Sequence, residues 1–361
     1  MLPSDATLPT NFSLNDNNTE INEHKILAKI KSRYSLSYLA RRIGSTIIVF
    51  FVVLVLIFIL PHLMPGNYVE LYIEQLERQH PGVQANMIKQ RLDALYGVNL
   101  PLWNQFLIYV KNIFSVSPNF GYSFEYYPTS AWTVVGFGLK WTLLLLGTSQ
   151  AVSWTIGIFL GTWLSSKKGK FIDRIGQPTG YFVSSMPSFW VAMIAILVFA
   201  VYLGIFPAAG AYDLYPTPWS IFTHMLLPMS VIVFVTLPGH TLVIRSAAIE
   251  ALGSDFVKVL KAQGFHTSTI IRRVMKNAFL PSITNLMLNI GYLIGGIFTV
   301  EITFSYPGMG YIIANAVLSD DYPVIEAALY LTTLVILLAN LAADLLYPLI
   351  DPRVSYTGGD E

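Results

Sequence analysis

Few residues in this 361-residue chain stand where covalent chemistry would need them. Cysteine is absent, which excludes disulfides, thiolate metal sites and a cysteine nucleophile, and the six histidines are scattered. There is no His-Glu-x-x-His pair, no Gly-x-Ser-x-Gly elbow and no Gly-x-x-x-x-Gly-Lys-Ser/Thr loop, so neither hydrolytic chemistry nor P-loop binding of ATP is indicated. The polar groups that stand out do so by their setting. Glu301, Asp344, Asn285, Asn289, Thr299 and His240 interrupt long apolar runs. A charge within such a run faces protein or water, because lipid does not solvate it. Glu301 either orders an outer gate and the Pro-Gly turn that follows it, or simply reaches an interface. Asn285 and Asn289, four apart, share a helix face; they line a path or bond helix to helix. Asn340 and Asp344 share the same spacing, with Asp344 read as a packing or basic-loop partner rather than a proton carrier. His240, beside Pro238-Gly239, is read as a packing histidine rather than a switch.

The elements that must position these groups follow from composition. The chain is 54% hydrophobic and 12% charged, where soluble domains carry roughly a quarter charged residues. It is an integral membrane protein. A net charge of +1 gives no general attraction for nucleic acid. Apolar blocks at Ile43–Met64, Val134–Leu164, Gln177–Leu203, Phe222–Ile244, Ser282–Phe304 and Ile325–Ile350 are each long enough to cross a bilayer. The expected fold is an all-α polytopic membrane protein with six transmembrane helices. Ser184, Ser185, Pro187 and Ser188 mark the third as interrupted. Gly157 and Gly161, and likewise Gly291 and Gly295, have the small-xxx-small spacing of closely packed helices. The expected division is a polar tail at 1–37, the first span at 38–65, an aromatic-rich helical extracytoplasmic subdomain at 66–133, a five-helix core at 134–353 and a short tail at 354–361.

Orientation follows from the basic residues. Lys25 to Arg42, Lys167 to Arg174, Arg245 to Lys276 and Arg353 fall on one side, while the loops at 204–221 and 305–324 hold no Lys or Arg. The positive-inside rule puts that side, and both termini, in the cytoplasm.

Within the core, a loop at 248–281 departs from its surroundings. Its polar stretch reads as two short amphipathic helices broken at Gly264. Phe256, Val259 and Leu260 share one face, as do Ile270, Ile271 and Val274, and Lys258, Lys261, Arg272, Arg273 and Lys276 hold the polar faces. Gly264 suits a positive φ at the break, and Pro281 the start of the next helix. A basic elbow between two spans is a handle for another protein, not a pore. Ala262-Gln263-Gly264 with Asn277-Ala278-Phe279-Leu280-Pro281 resembles the coupling loop of ABC importer permeases, in the dipeptide/oligopeptide/nickel branch and its first-permease subunit. Lys258-Val259-Leu260 stand where that family has Glu-Ala-Ala. Glu301 with Phe304-Ser305-Tyr306-Pro307-Gly308-Met309-Gly310, then Asp321-Tyr322-Pro323, resemble the branch's next signature. Tyr38 to Arg42 and Met64-Pro65-Gly66 resemble its beginning, with Asn67 where Asp is usual, and Asn340 to Arg353 resemble its close.

The resemblance implies that Phe256, Lys258, Lys261, Ala262, Gly264, Phe265 and Pro281 couple to ATPases. It makes Asn285, Asn289, Glu301, Phe304, Pro307 and Gly308 candidates for the pore and gate. It also implies a second, homologous permease subunit, two cytoplasmic ABC ATPase subunits that bind ATP and Mg, an extracytoplasmic solute-binding protein, and a plasma-membrane location. This chain itself would hold no cofactor or metal and would not be an enzyme. Di- or oligopeptides are the expected cargo; oligosaccharides or nickel on the same machinery, and an ion-coupled secondary transporter, are the alternatives.

Overall fold

The computed structural model describes residues 36–63, 70, 73–74, 77–78, 85–97, 100–115, 118–275 and 290–350. Pro281, Asn285 and Asn289 lie outside the described residues, as do the polar tail before residue 36, most of 66–84, the contacts of Gly291 and Gly295, and Asp351 to Arg353. Among the described residues the regular structure is helical, apart from one bridge between Tyr122 and Ser130.

In chain order the helices are α1 (Leu36–His62), α2 (Ala85–Tyr96), α3 (Leu102–Ile113), α4 (Ala131–Ser165), α5 (Phe171–Ser184), α6 (Ser188–Ala195), α7 (Pro218–Gly253), α8 (Asp255–Ala262), α9 (Ile290–Thr303), α10 (Met309–Leu318) and α11 (Tyr322–Ile350). α6 runs on into a π-helical stretch, Ile196–Tyr202. Among the described residues, α1, α4, α7 and α11 are long and apolar enough to cross a membrane, and α5 with α6 makes a fifth span if the pair is taken together.

That pair is bent by 94°, so the third apolar block is not one straight rod. The break falls at Ser185-Met186-Pro187. Proline has no N–H for the helix ladder and pushes the residue before it out of the α region.

Local sequence sets several starts. Ser130 caps α4 by accepting from the Thr133 N–H, and Thr217 caps α7 by accepting from Ser220, with Pro218 in the first turn. α4 and α7 are the central pair, and two glycines bring their backbones together. A Cβ on Gly161 would stand 2.6 Å from the Thr241 carbonyl oxygen and 3.0 Å from the Arg245 nitrogen; one on Gly157 would stand 2.9 Å from His240 Cβ. Without an oil-from-water driving force between spans, such contact is what holds them.

Three apolar clusters follow. At one end, Leu54 and Ile57 of α1 pack with Tyr109 and Ile113 of α3, Val135 of α4, Met309 and Ile312 of α10, and Ala327 and Ala328 of α11. In the middle, Leu145, Ala192, Leu227, Ile297 and Phe304 meet. At the other end, Val257, Leu260, Ile270 and Val274 bind the elbow to Ile244 and Ala248 of α7. The face expected from Phe256, Val259 and Leu260 is corrected here. Val257 and Leu260 are buried, Phe256 is half-buried and Val259 is 53% exposed. α8 is only two turns long, so its register is set by where it meets α7 and not by its own apolar stripe.

Candidate functional site

The turn that joins α9 to α10 is built around Glu301. Its side chain is fully buried, at 0% exposure, close to the end of α9. α10 begins with Gly308 as N-cap, which has no side chain to offer the first N–H groups. Those groups are satisfied from elsewhere. Gly310 N–H donates to Glu301 Oε2 at 2.7 Å, and Met309 N–H donates to Thr142 Oγ1 at 2.8 Å. The Thr142 hydroxyl donates to the other carboxylate oxygen, Oε1, at 2.6 Å. A carboxylate at a helix N-terminus also meets the positive end of the helix dipole.

Gly308 is required by space, since a Cβ there would run into the Glu301 carboxyl group. Ser305 takes φ 47°, which turns the chain back, and Tyr306 N–H closes the loop on Glu301 O at 2.8 Å. Phe304 is buried, and its carbonyl accepts from Gly210 N–H at 2.9 Å. Tyr306 meets the Trp141 ring edge-on at 5.7 Å. Pro307, with Tyr126, Phe137 and Tyr311, lines a cavity of about 350 Å³ beside the turn. Thus Glu301, Phe304, Pro307 and Gly308 form one constellation with Thr142 of α4.

A second carboxylate does similar work in the α10–α11 hinge. Asp321 is 1% exposed. Its Oδ2 accepts from the Ser123 hydroxyl (2.5 Å), Phe124 N–H (2.9 Å) and Glu125 N–H (3.2 Å), which fixes the loop ahead of α4. Burial pushes the Asp321 carboxyl above its ordinary value, and these donors pull it partly back.

The opposite end is built differently. Gly264 takes φ 76° and ends α8, with Gln263 N–H donating to Val259 O and Phe265 N–H to Leu260 O. The left-handed turn sends the chain away into the helical stretch 267–275. Lys258, Val259, Lys261, Ala262, Gly264 and Phe265 are all exposed. The Arg273 guanidinium lies 4.9 Å from the centre of the Phe265 ring. Next along α7 from Ile244, which packs against the elbow, Arg245 makes a two-pronged ion pair with Asp173 of α5 at 2.6 and 2.8 Å. Gly169 N–H adds a third donor to Asp173 at 2.9 Å. Arg42 of α1 pairs with Asp344 of α11.

Buried carboxylates thus lock turns at one end, and a supported basic elbow is exposed at the other. Residues 154–356 match the family described as binding-protein-dependent transport system inner membrane component. The chain is 30% identical over 324 residues to the oligopeptide transport system permease protein AppB of Bacillus subtilis, covering 89% of this chain and 99% of that one. It is 29% identical to the di/tripeptide transport system permease protein DppB of Pseudomonas aeruginosa, over 342 residues with the same coverage. It is also 29% identical, over 322 residues with the same coverage, to the glutathione transport system permease protein GsiC of Escherichia coli K12.

The chain belongs to this family of transport permeases. It is therefore a multi-pass membrane component of an ABC importer and not itself an enzyme. Within the permease, several partners were not visible in the sequence. Thr142 lies 159 residues before Glu301 in a run of leucines, and nothing local marks it. Asp173 and Arg245 are 72 residues apart on two different helices, and nothing local pairs them. Glu326, 8% exposed near the start of α11, is a buried carboxylate that its place at the edge of an apolar block does not single out. His240 Nε2 and Gln150 Oε1 are 3.0 Å apart, which ties His240 into the α4–α7 contact.

Proposed function

We propose that this permease forms half of the translocation pore of an ATP-driven importer for di- and oligopeptides. In this reading it crosses the membrane six times, with both termini and the elbow in the cytoplasm. The second half of the pore comes from a homologous subunit. Two ABC ATPases bind and hydrolyse ATP with Mg below it, and a solute-binding protein delivers cargo to the outer end. The basic loops gathered on the elbow side support that orientation. The relatives named for oligopeptide, di/tripeptide and glutathione transport support a short-peptide cargo.

One observation carries the coupling part of the proposal: the elbow is firmly seated yet openly displayed. Val257, Leu260, Ile270 and Val274 are buried against α7, while Lys258, Lys261, Ala262 and Phe265 face outward. A surface that must receive force needs both properties. ATPase closure would push on this elbow, move α7 against α4, and shift the balance between outward- and inward-open states. Pro281 would anchor the far side of the loop. On the outer side, Glu301, Phe304, Pro307 and Gly308 would hold the gate turn in one shape, with Asn285 and Asn289 lining the path below it.

The test is Gly264→Val in the complete complex reconstituted in liposomes. The substitution meets no neighbouring atom within 4 Å but places a β-branched residue at φ 76°. The expected result is ATP hydrolysis that continues while uptake is lost. Normal uptake by this variant would remove the elbow from the mechanism.

A further inference from the structure

The break between α5 and α6 opens a cavity of about 470 Å³ near the middle of α4 and α7. That size is in the range of small-ligand sites. Gln150, Ser184, Ser185, Ser188, Thr236 and Thr299 give it a polar lining, and among the described residues none of the lining is charged. A second cavity, lined by Leu160, Leu164, Ile175, Phe234 and Leu242, shows the contrast, since its wall is what lipid tails would wet.

Gln150 is the informative residue. Its side chain is 8% exposed. Its Oε1 is engaged with His240 Nε2 at 3.0 Å, and because an amide oxygen only accepts, His240 is the donor. Gln150 Nε2 is buried and has no hydrogen-bond partner. A buried amide N–H₂ left unpaired costs about 1–3 kcal/mol, and because Gln150 lines the cavity, a small turn of its side chain offers this donor to a ligand there. Across the cavity, the hydroxyls of Ser188 and Thr299 are 2.8 Å apart and both reach the Gly296 carbonyl, at 3.3 and 3.0 Å. Their oxygens keep lone pairs free to accept.

We propose that this cavity is a main-chain subsite on the translocation path. Gln150 Nε2 donates to a carbonyl oxygen of an extended peptide, and the Ser188 and Thr299 oxygens accept from its N–H groups. The donor and acceptors match the one feature all short peptides share. The lack of charge makes the site indifferent to side chains and termini, as a path for varied cargo needs to be. The inference rests on the peptide reading above.

The test uses the complete complex in liposomes with trialanine as probe, and reads uptake and ATP hydrolysis stimulated by the loaded binding protein. Gln150→Leu removes the donor. Gly296→Phe fills the cavity from a position where a Cβ meets nothing within 4 Å. Both variants should lose uptake, by about tenfold for the single lost hydrogen bond of Gln150→Leu, while stimulated hydrolysis persists. Ser188→Ala with Thr299→Val should lower uptake in the same direction. A wild-type complex that transports trialanine, with Gln150→Leu and Gly296→Phe transporting equally well, would overturn the subsite alone. A wild-type complex that moves no trialanine would overturn the peptide reading and the subsite with it.

Discussion

The two ends of this permease use charge in opposite ways. At the turns on either side of α10, Glu301 and Asp321 are buried, and among the described residues their carboxylates accept from hydroxyls and backbone N–H groups. No cation is needed, because the ends of loops and helices supply the positive side. At the elbow, Lys258 and Lys261 point away from the protein and the apolar side chains beneath them do the holding. The first arrangement fixes one shape; the second presents a surface. The contrast is between an end that keeps its geometry and an end that offers a surface, which is what the proposed coupling to ATPase subunits requires.

Mutations can sharpen this contrast, and the largest effect is expected at Glu301. Glu301→Ala strips acceptors from the Gly310 N–H and the Thr142 hydroxyl and leaves a buried void. It should cost roughly 2–5 kcal/mol, measurable as a lower unfolding midpoint in detergent and as disturbed uptake. An unchanged midpoint would mean the turn holds itself. Gly308→Ala tests the same turn from the other side. Its methyl group enters the space of the Glu301 carboxyl, with an expected cost of about 1–3 kcal/mol.

Asp321→Asn should follow at about 1–3 kcal/mol, since an amide N–H₂ now confronts some of the donors on the 123–125 loop. It should also change the pH response. Burial raises the Asp321 pKa in the folded protein, so the folded state holds this proton more tightly than the unfolded chain. The stabilisation is fully present below the unfolded value of about 3.9 and is lost as pH rises through the folded value. The Asn variant lacks this slope, and melting curves across that range would show whether it does. Smallest in stability is Phe265→Ala, within about 0.5 kcal/mol because the ring is exposed. The proposed coupling puts its effect in ATPase docking, so weaker assembly with unchanged melting is the expected pattern. A large loss of stability would make Phe265 part of the fold instead.

The sequence made much of this architecture readable, for identifiable reasons. Apolar length announces spans, so the blocks at 134–164 and 325–350 fall within three residues of α4 and α11. By contrast, α1 begins seven residues before its apolar block and α7 runs nine residues beyond its own, into polar sequence that composition does not mark as span. Glu301 was visible because a charge in an apolar run is costly and therefore conspicuous. Gly157 and Gly161 were readable from spacing alone, since helix contact repeats every four residues. What escaped depended on contacts between distant segments. Thr142 looks like any threonine in a leucine run, and only the fold brings it to Glu301. Pro187 signalled an interruption, but a proline does not state an angle of 94°. Spacing groups Val259 with Phe256 and Leu260, but two helical turns are too few to fix which face is buried. Nothing local marks Gln150, because the cavity it lines is formed by five separate helices.

The central claim is that the exposed elbow receives force from nucleotide-hydrolysing subunits, and proximity under turnover tests it most directly. The chain has no cysteine, so Ala262→Cys gives it a single thiol on the exposed surface. In the assembled importer this thiol should cross-link to an ATPase subunit, and the yield should change between the nucleotide-free and ATP-bound complexes. An importer that transports its cargo while Ala262→Cys shows no cross-link to either ATPase in any nucleotide state would contradict the account.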